Sequence, residues 1–197
     1  MGTGIYIYVD RLGSPVHLLV DRTALFHVKG TNMKKVGIIM GSDSDLPVIE
    51  KVTATLDSFS VPYEVHVYSA HRTPLQAAQF ASQAEQQGFG VLIAAAGMAA
   101  HLAGAIAANT TLPVIGIPCK SNTLDGIDAL LSTVMMPSGI PVAAVAINGG
   151  ANAALLSVQI LALSDETLSR KLKEKRDADA AKVLEKDAAI SEKYSRL

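Results

Sequence analysis

The stretch Val36-Gly37-Ile38-Ile39-Met40-Gly41-Ser42-Asp43-Ser44-Asp45, running on into Leu46-Pro47-Val48-Ile49, decides the fold. Residues 36–40 are a short apolar run closed by a glycine, the pattern of a strand buried on both faces. Residues 46–59 carry apolar side chains at helical spacing, and Pro47 is tolerated in a first turn. The same alternation repeats downstream. Strands are expected at 63–68, 91–95, 113–117 and 142–147. Helices are expected at 73–87, 99–108, 125–135 and 151–163, the first with Thr73 as N-cap, Pro74 at its first position and Gly88 as its stop. Ser164-Asp165-Glu166 then restarts a helix with an N-cap and a first-turn acid. Five short apolar strands alternating with helices imply an α/β domain: a parallel, doubly wound sheet with right-handed crossovers. Ligands of such sheets bind beyond the carboxyl ends of the strands. The loops that follow the strands are therefore where chemistry is sought.

Upstream, residues 1–32 read as an appendage. Gly4–Val9 and residues 16–20 run or alternate like strands, with Arg11-Leu12-Gly13-Ser14-Pro15 as the turn between them. Two readings stay open: an extension ahead of a natural start at Met33, or a genuine edge hairpin. The division expected is an extension at 1–32, a catalytic domain at 33–163 and a charged helical segment at 164–197.

Charge is spread unevenly. Residues 33–163 hold 5 Lys/Arg and 8 Asp/Glu, whereas residues 164–197 hold 9 and 8. The central segment has roughly a tenth of its residues charged, against about a quarter in ordinary soluble domains. Burial of its surface between subunits accounts for this, and a neutral surface of Ser, Thr, Asn and Gln is the alternative. A net charge of −1 gives no basic excess for nucleic acid. A single cysteine, Cys119, excludes an internal disulfide framework and a cysteine-based zinc cluster. Each apolar run is broken by Gly, Pro, His or polar residues before it is long enough to span a bilayer, and Asp10, Arg11 and Asp21 interrupt any signal-peptide core. The expectation is a soluble cytoplasmic protein without a membrane or nucleic-acid partner. His17, His27 and His66 lack metal-ligand spacing, so no metal site is expected. Neither a Walker loop nor a Gly-rich dinucleotide fingerprint is present, which argues against ATP and nicotinamide chemistry.

Three strand-end loops remain. In the first, Gly41 allows a sharp turn. Ser42 and Ser44, with the free N–H groups of a helix start, can hold a phosphate, and Asp45 suits sugar hydroxyls. The same residues serve equally as a plain helix cap. The second loop is Ser69-Ala70-His71-Arg72-Thr73-Pro74. Arg72 offers a planar fork for phosphate, and an imidazole such as that of His71 exchanges protons near neutral pH; a surface His beside a solvated Arg is the alternative. The third is Gly97-Met98-Ala99-Ala100-His101-Leu102-Ala103-Gly104, whose small residues admit a close approach, with His101 as its polar group or as a satisfied packing residue. Cys119 reads as an inert small side chain.

Together these stretches, with Met136-Pro137-Ser138-Gly139-Ile140-Pro141-Val142 and Ala151-Asn152-Ala153-Ala154-Leu155-Leu156, resemble the 5-(carboxyamino)imidazole ribonucleotide mutase family of purine biosynthesis. The resemblance runs from about Lys35 to the tail. It implies a flavodoxin-like three-layer αβα fold with a C-terminal helical extension, a homo-octamer, and no metal, ATP or biotin. The reaction it implies moves a carboxylate from the exocyclic nitrogen of an aminoimidazole ribonucleotide to ring carbon 4. By motif position His71 would be the general acid/base, and Ser42, Asp45 and Arg72 would bind the nucleotide. Gly41, Ser44, Ser69, Ala70, Gly97, Met98, His101 and Leu102 would line the pocket. The chain departs from the family pattern: Met98 and Ala103 stand where a Gly and a Pro are usual, Ser138 replaces an Arg, and the loop Asn148-Gly149-Gly150 is short. The His-Leu pair favours the mutase branch over the branch that carboxylates with free carbon dioxide, which is the runner-up. A phospho-receiver would match Asp43 and Asp45, but its third strand must end on an Asp, and here stands Ala94-Ala95-Ala96-Gly97. A flavin module is disfavoured by the absence of Trp and by only nine Phe and Tyr for ring stacking.

Overall fold

The structure is a computed structural model that describes residues 4–9, 15–20 and 33–195. The chain divides into two units, Met1–Met33 and Lys34–Leu197. In the first, strands β1 (Gly4–Val9) and β2 (Pro15–Val20) pair antiparallel, with Gly4 opposite Val20 and Val9 opposite Pro15. Both strands follow the apolar pattern; the expected turn at 11–15 falls mostly outside the described residues.

In the second unit, β3 (Lys35–Met40), β4 (Tyr63–Val67), β5 (Phe89–Gly97), β6 (Val114–Cys119) and β7 (Ala143–Ala144) form one sheet in the order β4-β3-β5-β6-β7. Every pairing is parallel. The first strand of the sheet thus sits beside the second and the third, the flavodoxin-like order with its switch point between β3 and β5. The helices are α1 (Leu46–Phe59), α2 (Pro74–Gln83), α3 (Leu102–Ala107), α4 (Ile127–Val134), α5 (Gly150–Leu161) and α6 (Glu166–Tyr194). The central strands are apolar throughout because both sheet faces are covered: Ile38, Ile39, Leu92, Ile93, Ile115 and Ile117 have essentially no exposed surface. On one face, Ala77, Phe80 and Ala81 of α2 and Leu102, Ala103 and Ile106 of α3 pack over Ile39, Leu92 and Ala94. α1 and α5 pack against each other on the opposite face, so closely that a Cβ at Gly150 would lie 2.4 Å from the Val48 carbonyl oxygen. Three layers result.

Three elements depart from the sequence expectation for an identifiable local reason. α2 ends at Gln83, and hydrogen-bonded turns carry the chain to Gly88, which stops it at φ +86. Thr73 stands at the N-cap position of α2, but its hydroxyl accepts from Ser69 N and donates to Ser69 O instead of capping. α3 starts at Leu102 instead of Ala99 because Met98 and His101 adopt left-handed backbone, φ +52 and +51, which no α-helix contains. The last strand shrinks to two residues; Pro141, which cannot donate to a ladder, stands just ahead of this edge strand. α6 begins as expected, with the Asp165 carboxylate accepting from Leu168 N. It then runs for 29 residues with Leu168 as its one buried side chain.

Candidate active site

All the loops at the carboxyl end of β3, β4, β5 and β6 open onto one cavity of about 650 Å³. That volume accommodates a small nucleotide. Gly41, Ser42, Ser44 and Asp45 enter it from the loop after β3. That loop is held from below, where Gly41 N donates to Ala95 O. Ser42 is extended, and its hydroxyl accepts from Ser44 N and donates to the Asp43 carboxylate, closing the 3-10 turn that leads into α1. Gly41 itself does not have a positive φ, and a Cβ there would meet only ordinary contacts at 3.8 Å or more, so the sharp-turn role expected of it is not needed.

Ser69, Ala70, His71 and Arg72 form the second wall. The loop is stitched internally: Arg72 N donates to the Ser69 hydroxyl, and Ser69 and Thr73 share three hydrogen bonds. The Arg72 guanidinium reaches across to the first loop, where its Nη2 donates to Gly41 O at 3.0 Å. One hydrogen bond uses one of five N–H groups, so most of the fork stays available.

Gly97, Met98 and Leu102 line the third wall, but His101 does not. Its left-handed backbone turns the ring away from the cavity. Nδ1 sits 2.5 Å from the Ser132 carbonyl oxygen of α4, and the ring lies over Gly104, where a Cβ would come within 2.0 Å of Nε2. A carbonyl only accepts, so Nδ1 carries the proton in that bond. His101 therefore joins α3 to α4, and Gly104 leaves room for it. Met98 does reach the cavity, and it pays for its position with strained backbone: a left-handed L-residue costs about 1–2 kcal/mol. Met98→Gly is expected to recover part of that cost and raise Tm by about 2–4 °C in scanning calorimetry. A lower Tm would show that the side chain's contacts outweigh the strain.

The fourth wall is Lys120, Ser121 and Asn122 after β6, a stretch of ordinary loop composition. The one available signal is position: these residues directly follow the fourth strand of the sheet, where the topology puts ligands. Lys120 Nζ lies 2.9 Å from an Asp125 carboxylate oxygen, and Lys120 N donates to the Asn148 side chain.

Asp45 is the buried acid of the cavity, 9% exposed. Burial pushes its carboxyl above the usual range, the Cys119 thiol and the Ser42 backbone pull it back, and Asp43 adds to the rise. Burial, and then the negative Asp45, push the Cys119 thiol up to about 12. Cys119 is a neutral thiol at ordinary pH and no nucleophile, as the sequence reading has it.

Residues 35–182 match the AIR carboxylase family. Over 157 residues the chain is 53% identical to the N5-carboxyaminoimidazole ribonucleotide mutase of Pyrococcus horikoshii, covering 80% of this chain and 89% of that protein. It is also 53% identical over 139 residues to the phosphoribosylaminoimidazole carboxylase of Saccharomyces cerevisiae, covering 71% of this chain but 24% of that protein. Among solved structures, Treponema denticola PurE superposes with a TM-score of 0.71 at 30% identity, over 82% of this chain and 98% of that one.

Proposed function

The chain belongs to the AIR carboxylase family, and from that premise we propose that it is an N5-carboxyaminoimidazole ribonucleotide mutase, an isomerase of purine biosynthesis. The observation that carries the reading is the meeting of Ser42, Asp45, His71, Arg72 and Gly97 around one cavity, from three separate loops. Arg72, with the Ser42 and Ser44 hydroxyls, binds the phosphate. Asp45 accepts from ribose hydroxyls; a carboxylate held beside a neutral thiol is an acceptor without a competing cation. The glycine and alanine wall at 96–97 leaves room for a small neutral molecule.

The chemistry runs in two steps on His71. The N5–carboxylate bond breaks as the imidazolium gives its proton to N5, releasing carbon dioxide and leaving a ring nucleophilic at carbon 4. Carbon 4 then attacks the trapped carbon dioxide, and the now neutral imidazole removes the carbon-4 proton. The proton count closes, and His71 ends as it began. Holding carbon dioxide against the ring, away from water, replaces an encounter by a positioned reaction.

His71 and Arg72 are exposed in the single chain, so a dry cavity needs neighbouring copies. Ile127, Leu131 and Val134 of α4, at helical spacing, are about half exposed, as is Leu124, and the domain is poor in charge. This apolar, weakly charged surface supports assembly, and a homo-octamer is the state the family resemblance implies. Residues 33–163 carry the whole cavity, with 164–197 as a helical extension. Its ligands are the ribonucleotide and further copies of the chain. No helix among the described residues is long and apolar enough to cross a membrane, which fits a cytoplasmic enzyme.

The test is a spectroscopic assay in bicarbonate-free buffer. The carbamate nucleotide is expected to convert directly to 4-carboxy-5-aminoimidazole ribonucleotide, while the uncarboxylated nucleotide waits for added bicarbonate. Turnover of the second nucleotide alone, at a rate set by dissolved carbon dioxide, would make the protein a direct carboxylase.

A further inference from the structure

The lining of the cavity holds two permanent cations, Arg72 and Lys120, carried by the outermost two of the four loops that form it. Arg72 follows β4 and Lys120 follows β6, and β3 and β5 lie between those strands. Three strand spacings of about 4.8 Å separate the two loops by roughly 14 Å. The substrate proposed above is an anion at both ends, a phosphate and a carboxylate, with a ribose and an imidazole between. We propose that Lys120 binds the carboxylate end and so distinguishes carboxylated aminoimidazole ribonucleotides from the bare one. This rests on the mutase reading of the same site.

Three observations support the assignment. The backbone of Lys120 is fixed while its amine is not: Lys120 N donates to Asn148 Oδ1 at 2.9 Å, and Asn148 N donates to Pro118 O. The amine's present partner is weak. Lys120 and Asp125 are 59% and 80% exposed, and such surface pairs contribute little. Exchanging Asp125 for a carboxylate inside the cleft therefore costs little. Finally, the nearest fixed charge deeper in the cavity is Asp45, the wrong sign for a carboxylate. A substrate bearing one needs a compensating cation on that side, and Lys120 is the one the lining supplies. Asp125, in left-handed backbone at φ +53 beside Gly126, parks the amine at the rim until substrate arrives.

The experiment is calorimetric titration of the full chain and of Lys120→Gln and Lys120→Arg. The ligands are 4-carboxy-5-aminoimidazole ribonucleotide, 5-aminoimidazole ribonucleotide and ribose 5-phosphate, and turnover of the unmutated chain is measured on the same preparation. Lys120→Gln is expected to weaken the carboxylated ligand about tenfold, as loss of a charge-assisted contact does, and to leave the other two within about twofold. Lys120→Arg should hold most of the discrimination. Equal weakening of all three ligands, or of none, overturns the assignment. If the unmutated chain turns over the carbamate while Lys120→Gln weakens all three ligands alike or none of them, only the role of Lys120 falls. If the unmutated chain neither turns over nor binds the carboxylated ligand, the mutase reading falls and takes this assignment with it.

Discussion

His71→Asn is expected to lower turnover of the carbamate nucleotide by about 10²–10⁴-fold, the range by which positioned acid–base groups accelerate proton transfer. Asparagine keeps a polar side chain of similar reach but can neither give up nor accept a proton at working pH. The loop around it should not move. Its geometry comes from the hydrogen bonds of Ser69 with Arg72 N and with Thr73, none of which uses the imidazole. Nucleotide affinity, read by titration with the product, is therefore expected to stay within a few-fold of the unmutated chain. Both half-reactions need the same imidazole, first as acid and then as base, so the variant should also fail to release carbon dioxide in a single-turnover trap. Near-normal turnover would remove His71 from the chemistry. His101 offers no substitute, because its ring is engaged with the Ser132 carbonyl and lies outside the lining.

That contrast between two histidines shows what the sequence reveals and what it hides. The strand–loop–helix at 36–59 is legible because its signals are local: an apolar run, a Ser/Asp turn and helical spacing with proline in the first turn. α1 begins and ends at Leu46 and Phe59, as its periodicity predicts. That the sheet is parallel, and so the end at which its loops converge, follows from the strand–helix alternation, whereas the strand order came only with the family resemblance. His71 and Arg72 are readable for the same reason, since their loop immediately follows a strand.

The direction of the His101 side chain was not readable. It depends on left-handed backbone at two non-glycine residues and on a carbonyl 31 positions away. Gly104 was the available clue, as a residue whose missing Cβ makes room for a ring on the preceding turn. Lys120 was hidden differently. Its stretch has ordinary loop composition, and only the cross-chain bond to Asn148 and the place of β6 in the sheet bring it to the cavity. Contacts between residues far apart in sequence decide which of several polar loop residues face the same space.

Arg72→Ala is expected to weaken binding of phosphate-bearing ligands by about 10–100-fold, because it removes a charge-assisted fork from an anion site. Two effects add at this residue. The guanidinium is the phosphate ligand, and through its bond to Gly41 O it also ties the second loop to the first, where Ser42 and Ser44 present their hydroxyls. Arg72→Lys separates them. A lysine restores the positive charge but not the planar pair of donors, so it should recover part of the affinity and none of the two-pronged geometry. Ribose 5-phosphate and the corresponding nucleoside without phosphate are the discriminating ligands. The phosphate ligand should lose affinity and the nucleoside should not, and raising salt should narrow the difference between variant and unmutated chain. At saturating substrate, turnover should fall much less than affinity, since the phosphate lies far from the migrating carboxylate. Unchanged affinity for ribose 5-phosphate would place the phosphate elsewhere and reverse the orientation of the nucleotide in the cavity. Lys120 would then stand at the phosphate end, so the two substitutions test one orientation from its opposite ends.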